Sequence, residues 1–198
     1  FTMSVAFLNY DRIVENDSRQ IIQLMCSEKR QEIDEKLYVV ELYVPNKVTT
    51  NKTRNSNKVN RDYYKVFIDA GHGGTDPGAL GNGLEEEAIN LQVALKVENK
   101  LKEKGIDVKM SRTSDTYISL QDRANMANEY KGDVFVSIHQ NSADSNAAEG
   151  IETYHHRDKS EHKIYASDIQ NNLINQTSAK NRGVKNANFA VLRETSMT

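Results

Sequence analysis

Cysteine, long apolar runs and charge of one sign are all scarce in this sequence of 198 residues. The single thiol, Cys26, cannot close an intrachain disulfide. Its neighbours Leu24, Met25, Ser27 and Glu28 supply neither a second thiol nor a histidine for a metal knot, so Cys26 reads as a small core hydrophobe. No stretch approaches the roughly eighteen consecutive apolar residues of a membrane-spanning helix. The opening, FTMSVAFLNYDRIVEND, has neither a basic leader region nor a small-residue cleavage site. Twenty-six Lys and Arg against 28 Asp and Glu, with the signs interspersed, give a formal net charge of -2. That balance leaves no electrostatic footprint for nucleic acid or an anionic membrane. Hydrophobic residues make up 37%, below the usual range for globular chains, so the surface must be strongly polar.

What is present falls into three parts. Residues 1–46 hold the alternating stretch KLYVVELYV and an apolar knot at Ile21, Ile22 and Leu24, the marks of a small β-rich segment. Residues 47–63 are dominated by Asn, Lys, Thr and Ser and bury too little apolar surface to offset the entropy of ordering, which predicts a polar linker. From residue 64 strand and helix signals alternate. KVFIDAG, IDVKMSR, DVFVSIH and GIETYHH read as strands, and FAVLRE, residues 189–194, as a last one. Residues 86–105 read as a helix with Ile89, Val93 and Val97 at i+4 spacing, acidic residues in the first turn, lysines in the last and Gly105 as a C-terminal cap. Further helices are expected from Ser119, with Asp122 three positions on, and over residues 160–176. This alternation predicts an α/β fold with a mostly parallel central sheet flanked by helices.

In open α/β sheets the functional crevice lies outside the carboxyl ends of the strands. His72 follows the strand ending at Asp69, and His139 ends the strand beginning at Asp133. If those strands are neighbours, both imidazoles enter one crevice, and a carboxylate at the start of the next helix, within Glu85, Glu86 and Glu87, projects back to the same rim. Two histidines and one carboxylate from three segments make the ligand set of an open, catalytic type of zinc site. Each piece also has a plainer reading. A histidine beside glycines serves as a turn residue, and an acidic triplet suits the positive end of a helix dipole.

Four ordered blocks, VFIDAGHGGTDPGALGNGLEEEAINL, SRTSDTYISLQDRANMAN, DVFVSIHQNSA and GIETYHH, together resemble the zinc-dependent N-acetylmuramoyl-L-alanine amidases of bacterial cell walls, the amidase type 3 family. The resemblance covers residues 64–198 and implies zinc held by His72, Glu86 and His139, the glutamate being selected by alignment on Asn90 and Leu91. It implies a peptidoglycan substrate, glycan strand and stem peptide, cleaved by zinc-activated water between N-acetylmuramic acid and L-alanine, outside the cytoplasm, in the wall or secreted. Asn141, two residues after a ligand, and Arg193 are the substrate-binding candidates. In that family a glutamate in a strand following the VLRETSM segment takes the water's proton. No such strand occurs before Thr198, so the catalytic domain is expected to lack its last strand and helix, and the catalytic base is left unassigned. Glu194 matches a position before that strand. Residues 1–46 resemble, in the same setting, the end of an AMIN-like wall-targeting domain. The alternative function is a peptidoglycan-binding module that retains the zinc site without hydrolysis.

Overall fold

In the computed structural model, residues 2–8, 65–81, 83–141, 149–158, 162–177 and 179–195 are described, residues 2–8 and 141 by their backbone alone. The strands are β1 (Thr2–Leu8), β2 (Lys65–Ala70), β3 (Leu80–Gly81), β4 (Leu84–Glu85), β5 (Asp107–Met110), β6 (Val134–Asn141), β7 (Gly150–His156) and β8 (Asn181–Ala187). The helices are α1 (Glu86–Glu103), α2 (Leu120–Tyr130), α3 (Lys163–Thr177) and α4 (Ala190–Glu194). Six strands form one sheet in the order β5-β2-β6-β1-β7-β8, and β3 and β4 make a small hairpin. The pairs β2–β5, β2–β6, β1–β7 and β7–β8 are parallel. Within the six-stranded sheet, among the described residues, only β1 against β6 is antiparallel, and the β3–β4 hairpin is antiparallel as well. The sheet is thus mostly parallel, as expected, and consists of two parallel halves running in opposite directions.

β2 and β6 are buried on both faces, which is why their sequences are nearly continuous apolar runs. On one face Val66, Ile68, Val136 and Ile138 pack with Ala94 and Leu101 of α1 and, farther along, Ile169 and Leu173 of α3. On the other, Phe67 and Phe135 stack with ring centroids 5.9 Å apart and are covered by Ala127 of α2 and by Val191 and Leu192 of α4. Each such Val, Ile, Leu or Phe side chain contributes about 1.5–3 kcal/mol by leaving water.

Local signals set the helix ends. Ser119 caps α2 by accepting from the Asp122 amide at 3.1 Å. α1 ends at Glu103, and Gly105, at φ +77, donates to the Lys102 carbonyl in the expected left-handed cap.

The stretch expected as a last strand, FAVLRE, is instead the short helix α4. Val191 and Leu192 are consecutive and both buried, which a half-exposed strand does not permit. The last described strand is β8, over residues to which the sequence signals assigned no element. Among the described residues it lies at the sheet edge and pairs only with β7, and it carries a polar sequence, NRGVKNA, with no apolar alternation to announce it. β1 lies inside the main sheet between β6 and β7, with Ser4 level with His139 on one side and Glu152 on the other. The linker, Cys26 and the segment KLYVVELYV lie outside the described residues, as do the expected boundaries at 46 and 63.

Candidate metal centre

β2 and β6 are neighbours in register, with Asp69 opposite Ser137 and Ala70 opposite Ile138. The chain leaves β2 through Gly71, whose amide still donates to the Ile138 carbonyl at 3.1 Å. His72 follows in the left-handed region at φ 61, which turns its ring over the end of β6. There it meets His139 edge to face, centroids 4.8 Å apart. Gly71 is required by that approach, since a Cβ at this position would run into the His139 ring. Gly78 is required for a similar reason: at φ +67 its Cβ would sit 2.7 Å from the His72 ring and 2.8 Å from a Glu86 oxygen.

Glu86 begins α1, and its buried carboxylate completes the group. Its Oε1 lies 2.9 Å from His139 Nδ1 and 3.3 Å from His72 Nε2. The Gln140 amide donates to Oε1 at 2.8 Å and the Ala79 amide to Oε2 at 2.9 Å. Burial by itself pushes this carboxyl up. The hydrogen bonds to His139 and His72 and from the two amides outweigh it, holding Glu86 well below the usual carboxylate range and therefore ionised. Of the acidic triplet, Glu85 is exposed at the N-cap and Glu87 faces Arg112 at 3.3 Å. Geometry therefore selects Glu86.

One ligand atom from each of His72, Glu86 and His139 lies within 4.8 Å of the others, and no other such group occurs among the described residues. The donor chemistry fits a divalent zinc-type ion: two imidazoles, one ionised carboxylate and an open side, His72 and His139 being 25% and 32% exposed. His72 Nδ1 bonds Asp76 Oδ2 at 2.8 Å, which leaves Nε2 turned toward Glu86. A carboxylate behind a metal-ligating imidazole fixes its tautomer and raises its basicity. The Glu86 hydrogen bond, countered by burial and reinforced by Asp76, moves the His72 pKa above its ordinary value.

Beneath the histidines lies a buried ion pair. Arg123 Nη1 donates to Asp69 Oδ1 and to the Ala70 carbonyl, both at 2.6 Å, and its Nη2 to the His72 carbonyl at 2.8 Å. Ser137 Oγ donates to the other Asp69 oxygen at 2.7 Å. Sequence reasoning missed these supports, although Asp69 inside an apolar strand and Arg123 beside Ala124 and Ala127 on a helix's buried stripe were visible anomalies.

Asn141 is the last residue of β6. Arg193 lies on α4, its Nε on Glu194 at 2.7 Å and its Nη1 on the Asn188 carbonyl at 3.2 Å.

Sheet topology and donor set define an α/β protein with a three-donor candidate metal site at the rim where β2 and β6 end. Comparison with known proteins supplies the lineage: the chain belongs to the N-acetylmuramoyl-L-alanine amidase family Amidase_3, whose profile matches residues 66–198. It is 46% identical over 136 residues to a sporulation-specific N-acetylmuramoyl-L-alanine amidase of Bacillus subtilis, covering 67% of this chain and 52% of that protein. To the N-acetylmuramoyl-L-alanine amidase LytC of the same organism it is 42% identical over 134 residues, 67% of this chain and 27% of LytC. The chain thus spans about half the first relative and about a quarter of the second. Among solved structures it is similar to an N-acetylmuramoyl-L-alanine amidase from Clostridium difficile 630, with TM-score 0.67 and 44% identity over 69% of this chain and 76% of that one. It also resembles the catalytic domain of CwlV from Paenibacillus polymyxa, with TM-score 0.59 and 40% identity over 68% and 75% of the two chains.

Proposed function

We propose that the chain hydrolyses the amide between N-acetylmuramic acid and the L-alanine of the peptidoglycan stem peptide, with zinc held by His72, Glu86 and His139. The observation that carries this reading is the convergence of those three donors within 4.8 Å in a chain of this family. When bound, zinc supplies Lewis acidity toward the scissile carbonyl and toward a water molecule.

The chain's own residues do the rest. Glu86 brings the negative charge, kept ionised by the Gln140 and Ala79 amides. Asp76 holds the His72 ring with Nδ1 engaged. Arg123 fixes the backbone on which His72 stands. Asn141, two residues beyond His139, and the half-exposed Arg193 are assigned to substrate contact in this reading. The action belongs outside the cytoplasm, where the wall polymer lies. No described helix is long and apolar enough to cross a membrane.

The test is product analysis on purified peptidoglycan, with added zinc and with chelator. New L-alanine amino termini without new reducing ends, lost on chelation and restored by zinc, are expected. New reducing ends would indicate a glycosidase and a shortened stem peptide a carboxypeptidase; either product would overturn the assignment.

A further inference from the structure

The three donors come from segments far apart in sequence, and two of them stand on loop or helix ends that could shift separately. We propose that Asn90 and Arg112 are positioning residues that lock these segments into one unit through a shared acceptor, the Gly71 carbonyl. Asn90 Nδ2 donates to that oxygen at 3.2 Å and Arg112 Nη2 donates to it at 3.0 Å, occupying both of its lone pairs.

Each side chain then reaches the other donor segments. Asn90 Nδ2 also lies 3.3 Å from Glu86 Oε1, and its Oδ1 accepts from Gln140 Nε2 at 3.3 Å, one residue beyond His139. Arg112 Nη2 donates to the Glu87 carbonyl at 2.7 Å, one residue beyond Glu86, and its Nε to the Ala70 carbonyl at 3.0 Å. Its Nη1 reaches the Ser114 carbonyl at 3.2 Å and lies 3.3 Å from Glu87 Oε2. Every donor segment is therefore tied at, or within one residue of, its donor.

Asn90 and Arg112 are both buried, so these bonds form away from competing water. A guanidinium is suited to the task because its planar fork presents fixed donors in several directions. A lysine keeps the charge but not the fork. Asn90 is equally specific, since it must donate on one side and accept on the other.

The role rests on the zinc reading and is tested without reference to hydrolysis. Zinc affinity is measured on the metal-free chain by competition with a chromophoric chelator. The visible spectrum with Co2+ is recorded in its place, and the unfolding temperature of each metal-free variant is determined. Asn90→Ala and Arg112→Lys are compared with Leu101→Ala, a fully buried apolar position on the same helix as Asn90 that serves as the stability control.

Loss of support around a ligand predicts roughly 10- to 100-fold weaker zinc binding and an altered Co2+ spectrum for Asn90→Ala and Arg112→Lys. Leu101→Ala keeps the native Co2+ spectrum and an affinity near that of the native chain despite a lower unfolding temperature. Native affinity in folded Asn90→Ala, or an equal loss in Leu101→Ala, overturns the role. Should Arg112→Lys not fold, Asn90→Ala decides alone. A native chain that takes up no zinc overturns the metal reading and this role together, whereas zinc uptake without hydrolysis counts only against the amidase assignment.

Discussion

Asp76 and Glu152 show how differently single carboxylates act in this molecule. Asp76 is partly exposed and bonds the outer nitrogen of His72. Its replacement by Asn removes the charge behind the imidazole and is expected to weaken zinc binding roughly 10-fold or more with little change in fold stability, measured by chelator competition beside thermal unfolding. Glu152 is buried on β7 and receives Arg182 Nε at 3.0 Å, Lys185 Nζ and the Tyr154 hydroxyl at 2.9 Å. Burial raises its pKa, but those three donors outweigh it and hold the carboxyl below its ordinary 4.5. Burial and the neighbouring Glu152 push the Tyr154 phenol up to about 12. A depressed folded-state pKa means the Glu152 stabilisation is fully present above its unfolded value and is lost as pH falls through the folded one. Glu152→Gln should therefore cost about 2 kcal/mol at neutral pH, a cost that shrinks below roughly pH 4.5. Urea unfolding at pH 7 and pH 4 checks this, and a cost independent of pH would contradict it. At this scale the candidate donors that converge were legible because histidines at strand ends are chemically conspicuous. Their supports were not, because an Asp or Arg in a strand or helix shows its partner only when distant segments meet, as Asp69 meets Arg123.

Among the elements, those with strong local signals were read correctly. α1 has its acidic first turn, basic last turn and Gly105 cap. α2 has Ser119, whose hydroxyl also bonds Asp122 Oδ2 at 2.6 Å. Ser119→Ala removes the cap and should lower stability by about 1 kcal/mol without changing zinc affinity, measured by urea unfolding. The errors fell at the C-terminal end, where β8 is an edge strand without alternation and α4 is too short for helical periodicity to appear. α4 earns its conformation from tertiary contact, Val191 and Leu192 packing against the Phe67 and Phe135 stack. β1, TMSVAFL, was not singled out in the sequence, and its place between β6 and β7 depends on pairing across more than a hundred residues of chain and on no local signal.

For the whole molecule, the α/β architecture followed from the alternation of strand and helix signals, and the site from the rule that crevices open where parallel strands end. The neighbouring placement of β2 and β6 turns that rule into a site, because it sets His72 and His139 with ring centroids 4.8 Å apart above the Glu86 carboxylate. Metal content tests this convergence most directly. Elemental analysis of the purified 198-residue chain after zinc loading and desalting should give one zinc per native chain. His72→Ala, Glu86→Gln and His139→Ala should each give far less while remaining folded by circular dichroism. Full zinc retained by all three variants, or none bound by the native chain, would contradict the account.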